Sequence, residues 1–92
     1  MSYDYKKEKY GVFTAEGTKM LLGISQRVKE LIRTAGAARM GEAISKCPGL
    51  SWTMLACVDY LVELEVLREV TDATKVMAQH RVFVAGPKYD HL

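Results

Sequence analysis

Two cysteines, two histidines and scattered serines and carboxylates are the raw material for chemistry in this chain, and their spacing assembles them into no reactive site. Cys47 and Cys57 lie ten residues apart without a Cys-x-x-Cys, and His80 and His91 come late and unpaired, so ligand spacing for zinc is missing. Two reduced thiols behaving as small apolar side chains are the simpler expectation, and a disulfide is not expected in a reducing compartment. Neither the G-x-x-x-x-G-K-[ST] loop nor G-x-G-x-x-G occurs. No nucleophile–base pair or paired-carboxylate motif stands out, and 92 residues leave little chain for a deep pocket beside a core. The chain is therefore not expected to be an enzyme, and no cofactor or metal is expected.

Charge offers a different chemistry, attraction for phosphate. The net charge is only +2, but residues 1–50 carry nine Lys/Arg against five Asp/Glu, whereas residues 51–92 carry four against six. Electrostatic affinity for a polyanion would therefore rest on the first half. Apolar runs such as Met20-Leu21-Leu22 are too short to cross a bilayer, and no apolar stretch follows Lys6, Lys7 and Lys9 to make a secretory signal. A cytoplasmic location without membrane contact is the expectation.

The elements that must position any such surface can be read from periodicity. Residues 1–13 form a polar arm dotted with Tyr3, Tyr5 and Tyr10, residues 14–86 a single folded domain, and residues 87–92 a tail. Thr14 and Glu16 suit a helix start, and Gly36 suits its left-handed end. Between them Met20, Leu21, Ile24, Val28, Leu31 and Ile32 recur on one stripe. Ala37 to Met40 is a short link with room for one extended pairing. A brief helix from Gly41 stops near Lys46, because Pro48 disfavours helix at Cys47. Ser51 caps a longer helix, and Val66–Thr71 and His80–Ala85 read as two strands with a projecting loop at Asp72–Gln79.

The order helix, short link, helix, turn, helix, hairpin resembles winged helix-turn-helix domains of small bacterial and phage transcriptional regulators. The residues that carry it are Glu42-Ala43-Ile44, the Gly49-Leu50-Ser51 turn and the stretch LVELEVLREV leading into the wing. The family often has Gly where Glu65 stands, so a less sharply turned helix exit is expected here. The resemblance implies an α+β, mainly helical fold with three helices and a C-terminal β-hairpin wing. It also implies double-stranded DNA as partner, with the helix from Ser51 entering a major groove. Ser51, Trp52, Thr53, Ala56 and Tyr60 would then point outward at the bases. Lys75, Gln79, His80 and Arg81 would approach from the hairpin, and Arg39 and Lys46 would hold phosphates.

One departure weakens that role. No Lys or Arg lies between Lys46 and Arg68, while Asp59, Glu63 and Glu65 sit on or at the end of the long helix. The alternative is a winged-helix module that binds a protein partner without touching DNA. The long helix is also apolar on several faces, as expected of a helix covered by a partner. A homodimer is expected on that ground, with Leu22, Leu55 and Val62 as interface candidates.

Overall fold

The computed structural model describes residues 3–45, 51–72 and 74–91. Lys46, Cys47 and the Pro48-Gly49 turn lie outside the described residues, as does the side chain of Ser51, the expected cap of the long helix. Among the described residues, four α-helices and three short strands run in the order α1 (Tyr5–Val12), α2 (Ala15–Ala35), β1 (Ala38–Arg39), α3 (Met40–Ile44), α4 (Ser51–Glu63), β2 (Leu67–Glu69) and β3 (Val82–Ala85). Single turns of 3-10 helix cover Ala78–His80 and Tyr89–His91. The fold is mainly helical α+β with one antiparallel sheet in the order β1-β3-β2.

Helix α2 begins and ends where its residues dictate. The Thr14 hydroxyl accepts from the Gly17 amide, and Gly36 takes φ 83° as its amide donates to the Ile32 carbonyl. Leu21, Ile24 and Val28 are buried on one stripe, while Lys19, Gln26, Glu30 and Arg33 face solvent. Beyond Gly36 the chain extends as β1, with Ala38 opposite Phe83 and Arg39 opposite Val82. In the hairpin, Leu67, Arg68 and Glu69 stand opposite Ala85, Val84 and Phe83. Phe83, on the central strand, is fully buried in one core with Leu61, Leu67 and Met40.

Two expectations need correction. Residues 5–12 are not an arm but a helix, which raises the helix count from three to four. The Asp4 carboxylate accepts from the Lys6 amide at its start, and Val12 is buried at its end. Helix α1 returns on α2 so closely that a Cβ at Gly17 would overlap the Gly11 carbonyl, so an uncovered α-carbon at Gly17 sets the corner. Both α1 and α2 pack on α4, and together they bury Met54, Leu55, Ala56, Cys57, Val58 and Leu61. The several apolar faces of α4 are thus covered within the chain.

The second correction concerns Glu65, which takes the left-handed conformation itself at φ 64°. Its amide donates to Val62 O at 3.0 Å and the Val66 amide to Leu61 O at 3.0 Å, the paired bonds of a Schellman turn. Buried Val66 and Leu61 supply the apolar contact that accompanies it. The exit from α4 is as sharp as with glycine, because Gly86 and Lys88 amides also bind Val66 O and Glu65 O and hold the turn from outside. A left-handed non-glycine residue costs about 1–2 kcal/mol, part of which returns as the lower chain entropy of a non-glycine unfolded state. Glu65→Gly should therefore raise unfolding stability by about 0.5 kcal/mol in urea denaturation; a loss of stability would show that the turn depends on the glutamate side chain.

Candidate functional site

The polar residues of α4 and the β2–β3 hairpin converge on one buried arginine. Arg81 precedes β3, on the same face as Phe83, and its guanidinium lies 5.2 Å from the Phe83 ring centre. Glu69 ends β2 across the hairpin, and Asp59 projects from the apolar surround of α4. Arg81 Nη2 donates to Asp59 Oδ1 at 2.7 Å and to Glu69 Oε1 at 2.7 Å. Nε donates to Glu69 Oε2 at 3.0 Å and Nη1 to Asp59 Oδ2 at 3.3 Å. The guanidinium thus forks onto two carboxylates at once, which the fixed plane of arginine permits and a lysine ammonium does not.

A ring of hydroxyls completes the cluster. Tyr3 OH donates to Asp59 Oδ2 at 2.6 Å, and Thr71 Oγ1 donates to Glu69 Oε2 at 2.9 Å while accepting from the Val82 amide. One turn along α4, Glu63 accepts from Tyr5 OH and pairs with the Lys9 ammonium at 2.8 Å. Burial works against the charge on Arg81, yet hydrogen bonds to Glu69 and Asp59 outweigh it and push the guanidinium pKa up. At the exposed Glu63, the Lys9 ammonium holds the carboxyl below its usual range against a smaller opposing effect of burial, with Tyr5 assisting.

Beside the cluster, Tyr3, Tyr5, Asp59, Val62, Glu63, Ala78 and Arg81 line a cleft of about 490 Å³ between the N-terminal segment, α4 and the hairpin. A second cleft of about 550 Å³ lies between α2 and Tyr89, where the Lys29 ammonium sits 5.3 Å from the Tyr89 ring centre. Among the described residues, no group of three or more His, Cys, Asp or Glu is arranged to hold a metal ion. Asp59 and Glu69 have their carboxylates filled by Arg81. Chemically the cluster is an ion network in which each carboxylate accepts two bonds from the guanidinium and one from a hydroxyl.

The residues expected to face DNA divide into three groups. Ala56 is fully buried, and Arg81, though it lines the first cleft, is buried with its guanidinium bonded to Asp59 and Glu69. An outward Ala56 requires an open side of α4, and α1 occupies that side. Trp52, Thr53 and Tyr60 are half-buried. Thr53 packs against Gly11 of α1, and Tyr60 meets Phe13 edge to face at 5.3 Å. Arg39, Lys75, Gln79 and His80 are exposed. Of these, Arg39 lies opposite Val82 and Gln79 packs against Gly41, so Arg39, Gln79 and His80 gather at one edge where β1, α3 and the wing meet. Lys75 sits 3.9 Å from Asp72.

Of the interface candidates, Leu55 belongs to the core and Val62 lines the first cleft, whereas Leu22 is 54% exposed. Tyr3, Asp59, Glu69 and Thr71 were not anticipated as a cluster. The available signal was Asp59 itself, an acid inside an otherwise apolar helix, which needs a cationic partner once buried. No helix among the described residues is long and apolar enough to cross a membrane. No protein-family profile matches the chain, and no curated protein or solved structure gives a significant match.

This geometry makes two outcomes testable. Arg81→Ala leaves Asp59 and Glu69 buried without their cation, and should cost about 3–5 kcal/mol in urea denaturation. Arg81→Lys should recover only part of that loss; a near-neutral Arg81→Ala would show that the carboxylates find water instead. Burial, then the hydrogen bond to Asp59, pushes the Tyr3 phenol well above its ordinary value of 10.0, and burial with Glu63 does the same at Tyr5. These raised pKa values mean that the folded state holds the protons more tightly than the unfolded chain. Their contribution is complete below the ordinary phenol pKa and is lost as pH rises past it. Unfolding midpoints should fall above about pH 10, less steeply in Tyr3→Phe than in wild type. Parallel profiles for the two proteins would exclude Tyr3 as the source.

Proposed function

We propose that this chain is a small winged-helix domain that works as a protein-interaction module, with its long helix built into the core instead of presented to DNA. The order α2, β1, α3, α4, β2, β3 and the sheet order β1-β3-β2 support the winged-helix reading. The observation that carries the interaction reading is the placement of Arg81 and α4. The wing arginine is turned inward onto Asp59 and Glu69, and α1 lies over the side of α4 that would otherwise face a groove. In the described part of α4 the one exposed side chain is Glu63, already paired with Lys9, so no cation of the helix faces outward to meet phosphate. Exposed Tyr10, Phe13, Val70 and Met77 supply the aromatic, aliphatic and thioether surface that protein interfaces favour.

A DNA-contacting role retains one supporting observation, the grouping of exposed Arg39, Gln79 and His80 at the β1–wing edge. Such a patch suits phosphate contact without base reading. Fluorescence anisotropy of a labelled mixed-sequence duplex, titrated with the full chain at low ionic strength, separates the two. The interaction module should give no saturable binding up to about 100 µM, the weak end of the usual nonspecific range. Binding that falls steeply with added salt and disappears in Arg39→Glu would overturn the module reading in favour of DNA.

A further inference from the structure

The solvent face of α2 carries a heptad that its own fold does not use. Glu16, Lys19, Gly23, Gln26, Glu30 and Arg33 follow one another at spacings of three and four residues, and all six are exposed. That rhythm keeps them on one narrow stripe along the 21-residue helix. None of the four charged members makes an ion pair among the described residues. Gly23 sits in the middle of the stripe, where nothing lies within 4 Å of the position its Cβ would take. An exposed mid-helix glycine lowers helix stability by about 0.5–1 kcal/mol relative to alanine, and no packing within the chain accounts for it. Leu22 stands beside it at 54% exposure.

We propose that this stripe pairs with the same stripe of a second copy of the chain, antiparallel and across a two-fold axis. The charges along it run minus, plus, neutral, neutral, minus, plus. Reversed against itself, that order places Glu16 opposite the partner's Arg33, Lys19 opposite the partner's Glu30, and Gly23 opposite the partner's Gln26. The two-fold repeats each contact. Parallel pairing instead sets every charge against its own kind. Sliding the antiparallel pair by one heptad leaves the charged positions facing Gly23 and Gln26. The charge order therefore selects one orientation and one register, the task that flanking charges perform in coiled coils.

The remaining features fit the same geometry. Gly23 lets the two backbones approach closely at the centre, as small residues do at helix crossings. Leu22 and Lys29 share the flank of the stripe, so Leu22 meets the aliphatic stem of the partner's Lys29 beside the Tyr89 cleft. Antiparallel helix dipoles also attract. Exposed ion pairs contribute little each, so the dimer is weak, reversible and sensitive to salt. The pairing is independent of what the wing or the first cleft binds.

Sedimentation equilibrium of the full chain, from about 10 µM to about 1 mM at low and high salt, tests the proposal. A monomer–dimer equilibrium that weakens with salt is expected. Lys19→Glu should raise the dimer dissociation constant about 10-fold or more, because two symmetry-related attractions become repulsions. Glu30→Lys should do the same, and an equimolar mixture of the two single variants should dimerise again as a heterodimer. Circular dichroism of each variant checks that the fold is unchanged, as expected for exposed positions. A monomer at every concentration overturns the proposal. So does a dimer indifferent to Lys19→Glu, and so does a mixture that fails to recover, which would rule out the antiparallel register.

Discussion

The buried Arg81 guanidinium is the constraint around which the rest of the molecule is arranged. Three elements remote in sequence contribute to it: Asp59 from α4, Glu69 from the end of β2, and Arg81 at the entry to β3. Taking three charges from water costs several kcal/mol per ion, and the attraction offsets that only when nearly every polar atom is satisfied. Here each carboxylate receives two bonds from the guanidinium and one from a hydroxyl. The gain is then mainly in specificity. A hairpin slipped by one residue would turn Glu69 to the opposite face of the sheet and leave Asp59 and Arg81 short of a partner. Thr71 adds to this by capping the Val82 amide while it holds Glu69.

Helix α1 is the second consequence of the same cluster. Tyr3 reaches Asp59, and Tyr5 and Lys9 reach Glu63, so the N-terminal segment is tied to α4 through the acids that α4 presents on that side. In a 92-residue chain the core is small relative to the surface, and a fourth helix adds buried area that three helices and a hairpin lack. The added cover also decides what α4 can do. Packed by α1 and α2, α4 exposes among its described side chains only Glu63.

Local signals were legible and distant ones were not. Thr14 and Gly36 bounded α2 from the sequence because a cap hydroxyl and a left-handed glycine act within one turn. The alternation around Val82 and Phe83 marked β3, and the extended link at Ala38 proved to be its partner strand. Helix α1 escaped because its residues are mostly polar and only Val12 is buried, so no apolar stripe announced it. Its stability comes from Gly17, Asp59 and Glu63, none of which is near it in sequence except Gly17. Glu65 misled for a related reason. Its side chain disfavours the left-handed turn, and the bonds from Gly86 and Lys88 that enforce it arrive from about twenty residues away. Arg81 read as a wing cation because exposure is the usual fate of arginine, and its burial depended on two acids in other elements.

The charge asymmetry between the halves of the chain takes on a different meaning once those pairings are known. In the second half, Asp59 and Glu69 are taken up by Arg81, Glu63 by Lys9, Glu65 by Lys88 and Asp72 by Lys75. Asp59 and Glu69 are thus engaged inside the fold, whereas Glu63, Glu65 and Asp72 are paired at its surface. Beside exposed Arg68 on β2, the exposed charges outside these pairs lie mainly on α1, α2, β1 and α3, where Lys6, Lys7, Lys19, Arg33 and Arg39 are interspersed with Asp4, Glu16, Glu30 and Glu42. Charges of mixed sign at that spacing are screened within a Debye length of about 10 Å, so no far-reaching field of one sign arises from these elements. Mixed charge discriminates instead by pattern, favouring a surface whose own order of signs is complementary. On α2 that order runs minus, plus, minus, plus along Glu16, Lys19, Glu30 and Arg33.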